Sequence, residues 1–232
     1  MNSDTPGQEL LIQLETALHR LIESFWEEPY RFFTESDAVA ALQSWVARRP
    51  GLAQVVKTAD GFETSLLHRE YPTFFRFKKS DPSQRRDRPA KRGHYDLVLV
   101  DPSYVRHHGA ETIINRSIED HGDLSSPPLL AAVEFKLSAR GWSPGRVRRV
   151  EQDLGKLQLA LEQPADVSAA YLCAFQRDVS TTLHRWERHW PTVEKMLAEF
   201  SDIRTVLAVC WPRQKQEPFV HYSGPWITTM ID

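Results

Sequence analysis

The succession of hydrophobic patterns predicts an α/β fold: a mixed β-sheet flanked by helices, with an N-terminal helical hairpin. Three observations carry this prediction. Apolar runs of strand length recur near residues 94–101, 129–137, 167–175 and 204–211. Stretches with helical spacing separate the later runs. Such alternation favours helical crossovers and a sheet covered on both faces.

The elements follow in order. Residues 9–28 place Leu10, Leu11, Leu14, Leu18, Leu21, Ile22 and Phe25 on one helical face, and Pro29 ends the run. Thr34 or Ser36 can cap a second helix, carrying Val39, Leu42, Trp45 and Val46, that stops at Pro50-Gly51. These two helices form a hairpin over residues 1–51, packed on a core of residues 52–232. Residues 52–58 and 62–77 read as extended, the second run passing through Glu70 into Thr73-Phe74-Phe75-Arg76-Phe77. Residues 78–93 hold Lys78, Lys79, Arg85, Arg86, Arg88, Lys91 and Arg92 against Asp81 and Asp87. This is a solvated loop, or an arm that contacts phosphates electrostatically.

His94-Tyr95-Asp96-Leu97-Val98-Leu99-Val100-Asp101 is nearly continuous in its apolar part, as in a strand buried on both faces. Residues 103–128 form a long polar connection, with a short helix near 111–118, and read as an insertion. The strand at 129–137 follows. Ser143 can cap a helix with Pro144 at its first position, running to about residue 162. Val147, Val150, Leu154, Leu157 and Leu161 make its apolar stripe, with Arg146, Arg149, Asp153 and Lys156 in a row beside it. After Pro164 come a strand at 167–175, a helix at 181–200 interrupted or kinked near Pro191, a strand at 204–211 and an edge strand within 219–231.

A chain of 232 residues with 41% hydrophobic and 26% charged residues suits one globular domain with a sizeable core. The net charge of −2 excludes a globally basic nucleic-acid binder, leaving local patches to be judged separately. Cys173 and Cys210 sit singly in apolar runs, which suits buried thiols and not a zinc site. No apolar run approaches about 18 residues, and the N-terminus lacks a signal-peptide pattern; a cytoplasmic protein without a membrane partner is expected.

The chemistry centres on Ala131-Ala132-Val133-Glu134-Phe135-Lys136-Leu137. Residues two apart on a strand share a face, so Glu134 and Lys136 point one way and Val133, Phe135 and Leu137 the other. Charges on a buried strand are costly unless paired with each other or with a metal. An ordinary ion pair is one reading. The other joins Glu134 to Glu70 and Asp96, hard oxygen ligands of the kind that hold Mg²⁺ or Mn²⁺.

These residues resemble the PD-(D/E)XK nuclease superfamily, the restriction-endonuclease-like fold. The likeness lies in Asp96 of His94-Tyr95-Asp96, in Glu134-Phe135-Lys136, in the acid Glu70 upstream, and in the basic helix that follows. It covers residues 52–211 in element order. Tyr95 stands where the family name has Pro, and the 38 residues from Asp96 to Glu134 are a long gap. The resemblance implies a metal-dependent phosphodiesterase, a DNA endonuclease of the restriction or defence type. Asp96 and Glu134 would bind Mg²⁺ or Mn²⁺ with the Phe135 carbonyl. Glu70 would bind a second metal or hold a water, and Lys136 would position the attacking hydroxide.

Asp153 and Lys156 are expected to reach back to the site, or else to form a surface salt-bridge face. His94, on the strand face of Asp96, could contact a phosphate or support the site. Arg85, Arg86, Arg88, Lys91, Arg92, Arg146 and Arg149 would contact nucleic acid. A module of this kind would act as a homodimer or with a partner subunit. The same fold as an inactive binding subunit is the alternative. A third reading is a different α/β enzyme that uses paired carboxylates as acid and base.

Overall fold

A computed structural model describes residues 6–77, 91–118, 128–138, 144–162, 167–177, 184–210 and 219–228. Its centre is a six-stranded mixed sheet flanked by helices. Two helices open the chain, α1 (Pro6–Glu27) and α2 (Glu35–Val46). Both form where the apolar spacing predicts them, and they pack on each other. Thr34 caps α2 through its hydroxyl, which accepts from Asp37 N at 3.2 Å. Asp37 reciprocates by accepting from Thr34 N at 2.8 Å, so two otherwise orphaned amides are satisfied.

Pro50 does not end the second helix, as the sequence suggested, but begins a separate turn, α3 (Pro50–Ala53), after Arg49. Proline at a first helical position has no amide to waste. The extended region that follows is also divided. Strands β1 (Val55–Lys57) and β2 (Glu63–Ser65) form a small antiparallel pair, and β3 (Leu67–Phe77) joins the main sheet.

Strand β4 (Lys91–Val100) starts earlier than expected. Lys91 and Arg92 therefore belong to a strand and not to a loop, because they pair with Phe77 and Arg76 of β3. Arg85, Arg86 and Arg88 lie outside the described residues. The segment predicted as an insertion begins with more helix than its polarity suggests. Asp101 accepts from Ser103 N at 2.7 Å and Pro102 follows, which starts α4 (Pro102–His107); α5 (Ala110–Ile118) comes next.

Then come β5 (Leu129–Ser138), α6 (Pro144–Glu162), β6 (Val167–Arg177), α7 (His184–Glu199), β7 (Arg204–Cys210) and β8 (Phe219–Ser223). The α7 helix continues through Pro191. The strand order is β3-β4-β5-β6-β7-β8. Strands β3, β4 and β5 pair antiparallel, β5, β6 and β7 are parallel, and β8 closes antiparallel on β7. Helices α6 and α7 are the connections that parallel neighbours require.

The central strand β5 is buried along Leu129–Phe135, and its two faces differ. Phe135 points to the layer of Phe175, whose ring lies 4.9 Å from that of Phe25 in α1. Glu134 and Lys136 point to α6. Cys173 and Cys210 are buried free thiols, as expected.

A second buried carboxylate fixes α1 to the far edge. Glu15 is wholly buried. Its Oε1 accepts from the Tyr171 hydroxyl at 3.0 Å and faces Arg204 Nε at 3.2 Å. Its Oε2 accepts from Ile227 N at 2.8 Å and Thr228 N at 2.7 Å. Gly224 permits the turn into this segment: its φ is +82° and a Cβ there would lie 2.2 Å from the Ile203 carbonyl oxygen.

Glu15→Ala would leave two amides without their buried acceptor and remove the carboxylate that faces Arg204, whose Nε keeps the Pro225 carbonyl. We expect a loss of about 3–5 kcal/mol, read from urea denaturation, whereas an exposed partner of an ion pair such as Glu28→Ala should change stability by less than about 1 kcal/mol.

Candidate functional site

The strand register builds the candidate site. Leu97 pairs with Val133 and Val98 with Ala132, so Asp96 stands opposite Glu134 on the next strand. Opposite residues on neighbouring strands present their side chains on one face, a few ångströms apart. The contact is direct: Asp96 Oδ2 accepts from Phe135 N at 2.7 Å. On the other side of β4, the pairs Arg69–Leu97 and Tyr71–Tyr95 place Glu70 across from Asp96. The three acids named from sequence thus lie in one row across β3, β4 and β5.

Glu70 differs from the other two. It is exposed, and its φ of 48° breaks the regular pleat. Such a φ is strained for a side chain of this kind. The charges that act on Asp96 and Glu134 come instead from Lys136, Lys156 and Asp153.

Helix α6 supplies that second set. Asp153 and Lys156, one turn apart, face the sheet and do not form a surface salt-bridge stripe. Lys156 is buried and its Nζ forms an ion pair with Glu134 Oε1. The same Nζ donates to the His94 carbonyl oxygen at 2.8 Å and lies 5.6 Å from the centre of the Tyr95 ring. His94 therefore takes part through its backbone, while its imidazole side is exposed. Lys136 Nζ lies 3.1 Å from Asp153 Oδ2 and donates to the Phe135 carbonyl oxygen at 3.0 Å. Glu134 and Lys136 share a face, yet each is matched to a group on α6.

One participant escaped the sequence reading. Glu35, at the start of α2, places Oε2 3.7 Å from Lys136 Nζ and accepts from Leu137 N at 3.4 Å. The available signal was an acid in the first turn of a capped helix, which ordinarily serves the helix dipole.

The electrostatics follow from burial. Glu134 is 2% exposed, and burial raises its carboxyl pKa to about 8. Lys156 opposes that rise, while Asp96 and Asp153 add to it. Burial also raises Asp96 and Glu35 above the usual carboxylate range. Burial works against the charge on Lys136, but Asp153, Glu35, Glu134 and Asp96 outweigh it and raise its pKa.

The donor set can be tested for a divalent ion on these grounds. Four carboxylates surround two ammonium groups, and full ionisation would leave two negative charges for one such ion to cancel. Mg²⁺ needs only one or two protein carboxylates and keeps its remaining ligands as water. Asp96 and Glu134 fit that demand in type and charge. Two features bear the other way. Among the described residues, no group of three or more His, Cys, Asp or Glu side chains has the arrangement of a metal cage. The Phe135 carbonyl, expected as a ligand, already accepts from Lys136. An ion at Asp96 and Glu134 would compete with Lys156 for Glu134.

The raised carboxyl of Glu134 sets a pH dependence. A folded-state pKa of about 8 against an ordinary glutamate value of 4.5 means that the folded chain binds this proton more tightly. The stabilisation is complete below about pH 4.5 and is lost as pH rises through about 8. In metal-free protein, Glu134→Gln should remove this part of the slope of unfolding free energy between those pH values, read from urea titrations; an unchanged slope would show that Glu134 is not its source.

Among the described residues, no helix is long and apolar enough to cross a membrane. Comparison of the chain with protein-family models, curated proteins and solved structures finds no match.

Proposed function

We propose that the chain is a metal-dependent phosphodiesterase that cleaves nucleic acid, and in particular a DNA endonuclease of the restriction or defence type. One observation supports it above others. Asp96 and Glu134 face each other on adjacent strands, and Lys136 stands two residues on from Glu134 on the same strand face. The mixed sheet flanked by helices is compatible with a restriction-endonuclease-like fold, which we propose on the residues that resemble the PD-(D/E)XK superfamily. Glu70, across from Asp96, is retained as a further acid at the edge of the site.

In this reading Asp96 and Glu134 hold Mg²⁺ or Mn²⁺. The bound ion would lower the pKa of a water and offset charge on the phosphodiester. The chain's own groups do the rest. Lys136 orients the attacking water and neutralises charge that develops on the phosphate. Asp153 and Glu35 hold the Lys136 ammonium in place and keep it protonated. Lys156 holds Glu134 against the His94–Tyr95 segment of β4. Arg146 and Arg149 carry positive charge on the first turns of α6, where the substrate backbone would pass. Lys91 and Arg92, which open β4, are retained as candidate contacts to nucleic acid. A homodimer or partner subunit would supply further contacts.

The ion pair of Lys156 with Glu134 favours a second reading, in which the lysine permanently replaces the metal and the chain binds nucleic acid or a protein without cutting. Incubation with plasmid and with single-stranded DNA, with Mg²⁺ or Mn²⁺ and with chelator, separates the two. We expect metal-dependent cleavage that Lys136→Ala reduces by at least about a hundredfold, the scale of one lost transition-state contact. Cleavage unchanged by Lys136→Ala would overturn the assignment, and tight binding without cleavage would establish the second reading.

A further inference from the structure

The surroundings of Lys136 change sign from one side to the other. Asp96, Glu134 and Asp153 lie on the side already described. On the other side a cavity of about 90 Å³ opens between the end of β5, β6 and the first turns of α6. Its polar lining is Glu35, Lys136, Ser138, Arg146 and Arg149, over an apolar floor around Ala174 and Phe175. Three cations and a hydroxyl against one carboxylate suit an anion. The volume admits a phosphate group. The cavity also lies at the carboxyl ends of the parallel strands β5 and β6, where open α/β sheets receive ligands.

A second observation points to the same place. Gln176 is 1% exposed, and among the described residues neither atom of its amide has a hydrogen-bond partner. It pairs with Ser138 across the β5–β6 ladder and shares a strand face with Ala174, two residues before it. Both neighbours line the cavity. A buried amide without a partner is rarely left so unless something else meets it. A ligand that reaches past Ser138 would meet two donors that have no acceptor among the described residues.

We propose that this cavity is a second phosphate subsite, which seats the phosphate next to the scissile one on the same strand. Arg146 and Arg149 grip its oxygens, Lys136 lies between the two phosphates, and the Gln176 amide donates from beside Ser138. The proposal rests on the phosphodiesterase reading above and adds to it a means of fixing the substrate register. A strand that must seat one phosphate in the arginine cavity can present only one neighbouring phosphate to Lys136. Binding and cutting are thereby coupled through a fixed spacing.

The test uses short DNA oligonucleotides in which one phosphate at a time is replaced by a neutral methylphosphonate. For the full chain with Mg²⁺ or Mn²⁺, we expect one position beside the cleaved bond to raise KM about tenfold with little change in kcat. In the double variant Arg146→Ala, Arg149→Ala, KM should already be raised about tenfold, and the same methylphosphonate should add nothing. Gln176→Leu, which replaces the orphaned amide by an apolar group of similar size, should also raise KM while the protein melts no lower than the parent. Cleavage that persists with no position coupled to Arg146 and Arg149 would overturn the subsite and leave the nuclease intact. If Gln176→Leu leaves KM unaltered, the amide has no part in it. Failure to cleave or bind any oligonucleotide would overturn the nuclease reading and the subsite together.

Discussion

The pairing of Glu134 with Lys156 is the contact on which the arrangement depends. A carboxylate in the middle of a buried sheet is costly, and the ammonium arriving from α6 offsets part of that cost. The position of α6 follows from it. Once Lys156 meets Glu134, Asp153 is brought one turn earlier along the helix to Lys136. The crossover that connects two parallel strands thus also carries half of the site.

The antiparallel pairing of β3, β4 and β5 supplies the other half. Parallel strands alone would set β5 among neighbours reached only by crossover. The antiparallel side of the sheet instead brings Asp96 directly across from Glu134, and its Oδ2 takes the amide of Phe135. Site and sheet are held by the same hydrogen bonds. The junction between antiparallel and parallel pairing falls on β5, the strand that carries Glu134 and Lys136.

Much of this was legible in the sequence. Alternation alone shows that Glu134 and Lys136 share a face, and the apolar run after Asp96 marks a buried strand. The three-residue spacing of Asp153 and Lys156 showed that both could face one way, though not whether that way was inward. What stayed hidden were contacts that only the closed fold creates. Glu35 lies about a hundred positions before Lys136, and locally it reads as an acid that suits a helix N-terminus. The early start of β4 was obscured by Lys91 and Arg92, whose charge argues for a loop until Phe77 and Arg76 are seen to pair with them. Pro50 misled in the same way, because proline both ends and begins helices.

The buried carboxylate of Glu15 bears on how the chain is made. It sits in the first helix, yet the amides that satisfy its Oε2 come from 212 and 213 residues later. While a ribosome is still producing the sheet, α1 can form but cannot settle against Tyr171 and Arg204 without burying an incompletely matched charge. Full docking of α1 must therefore wait for the segment after β8. The contact that closes this fold joins elements distant in sequence.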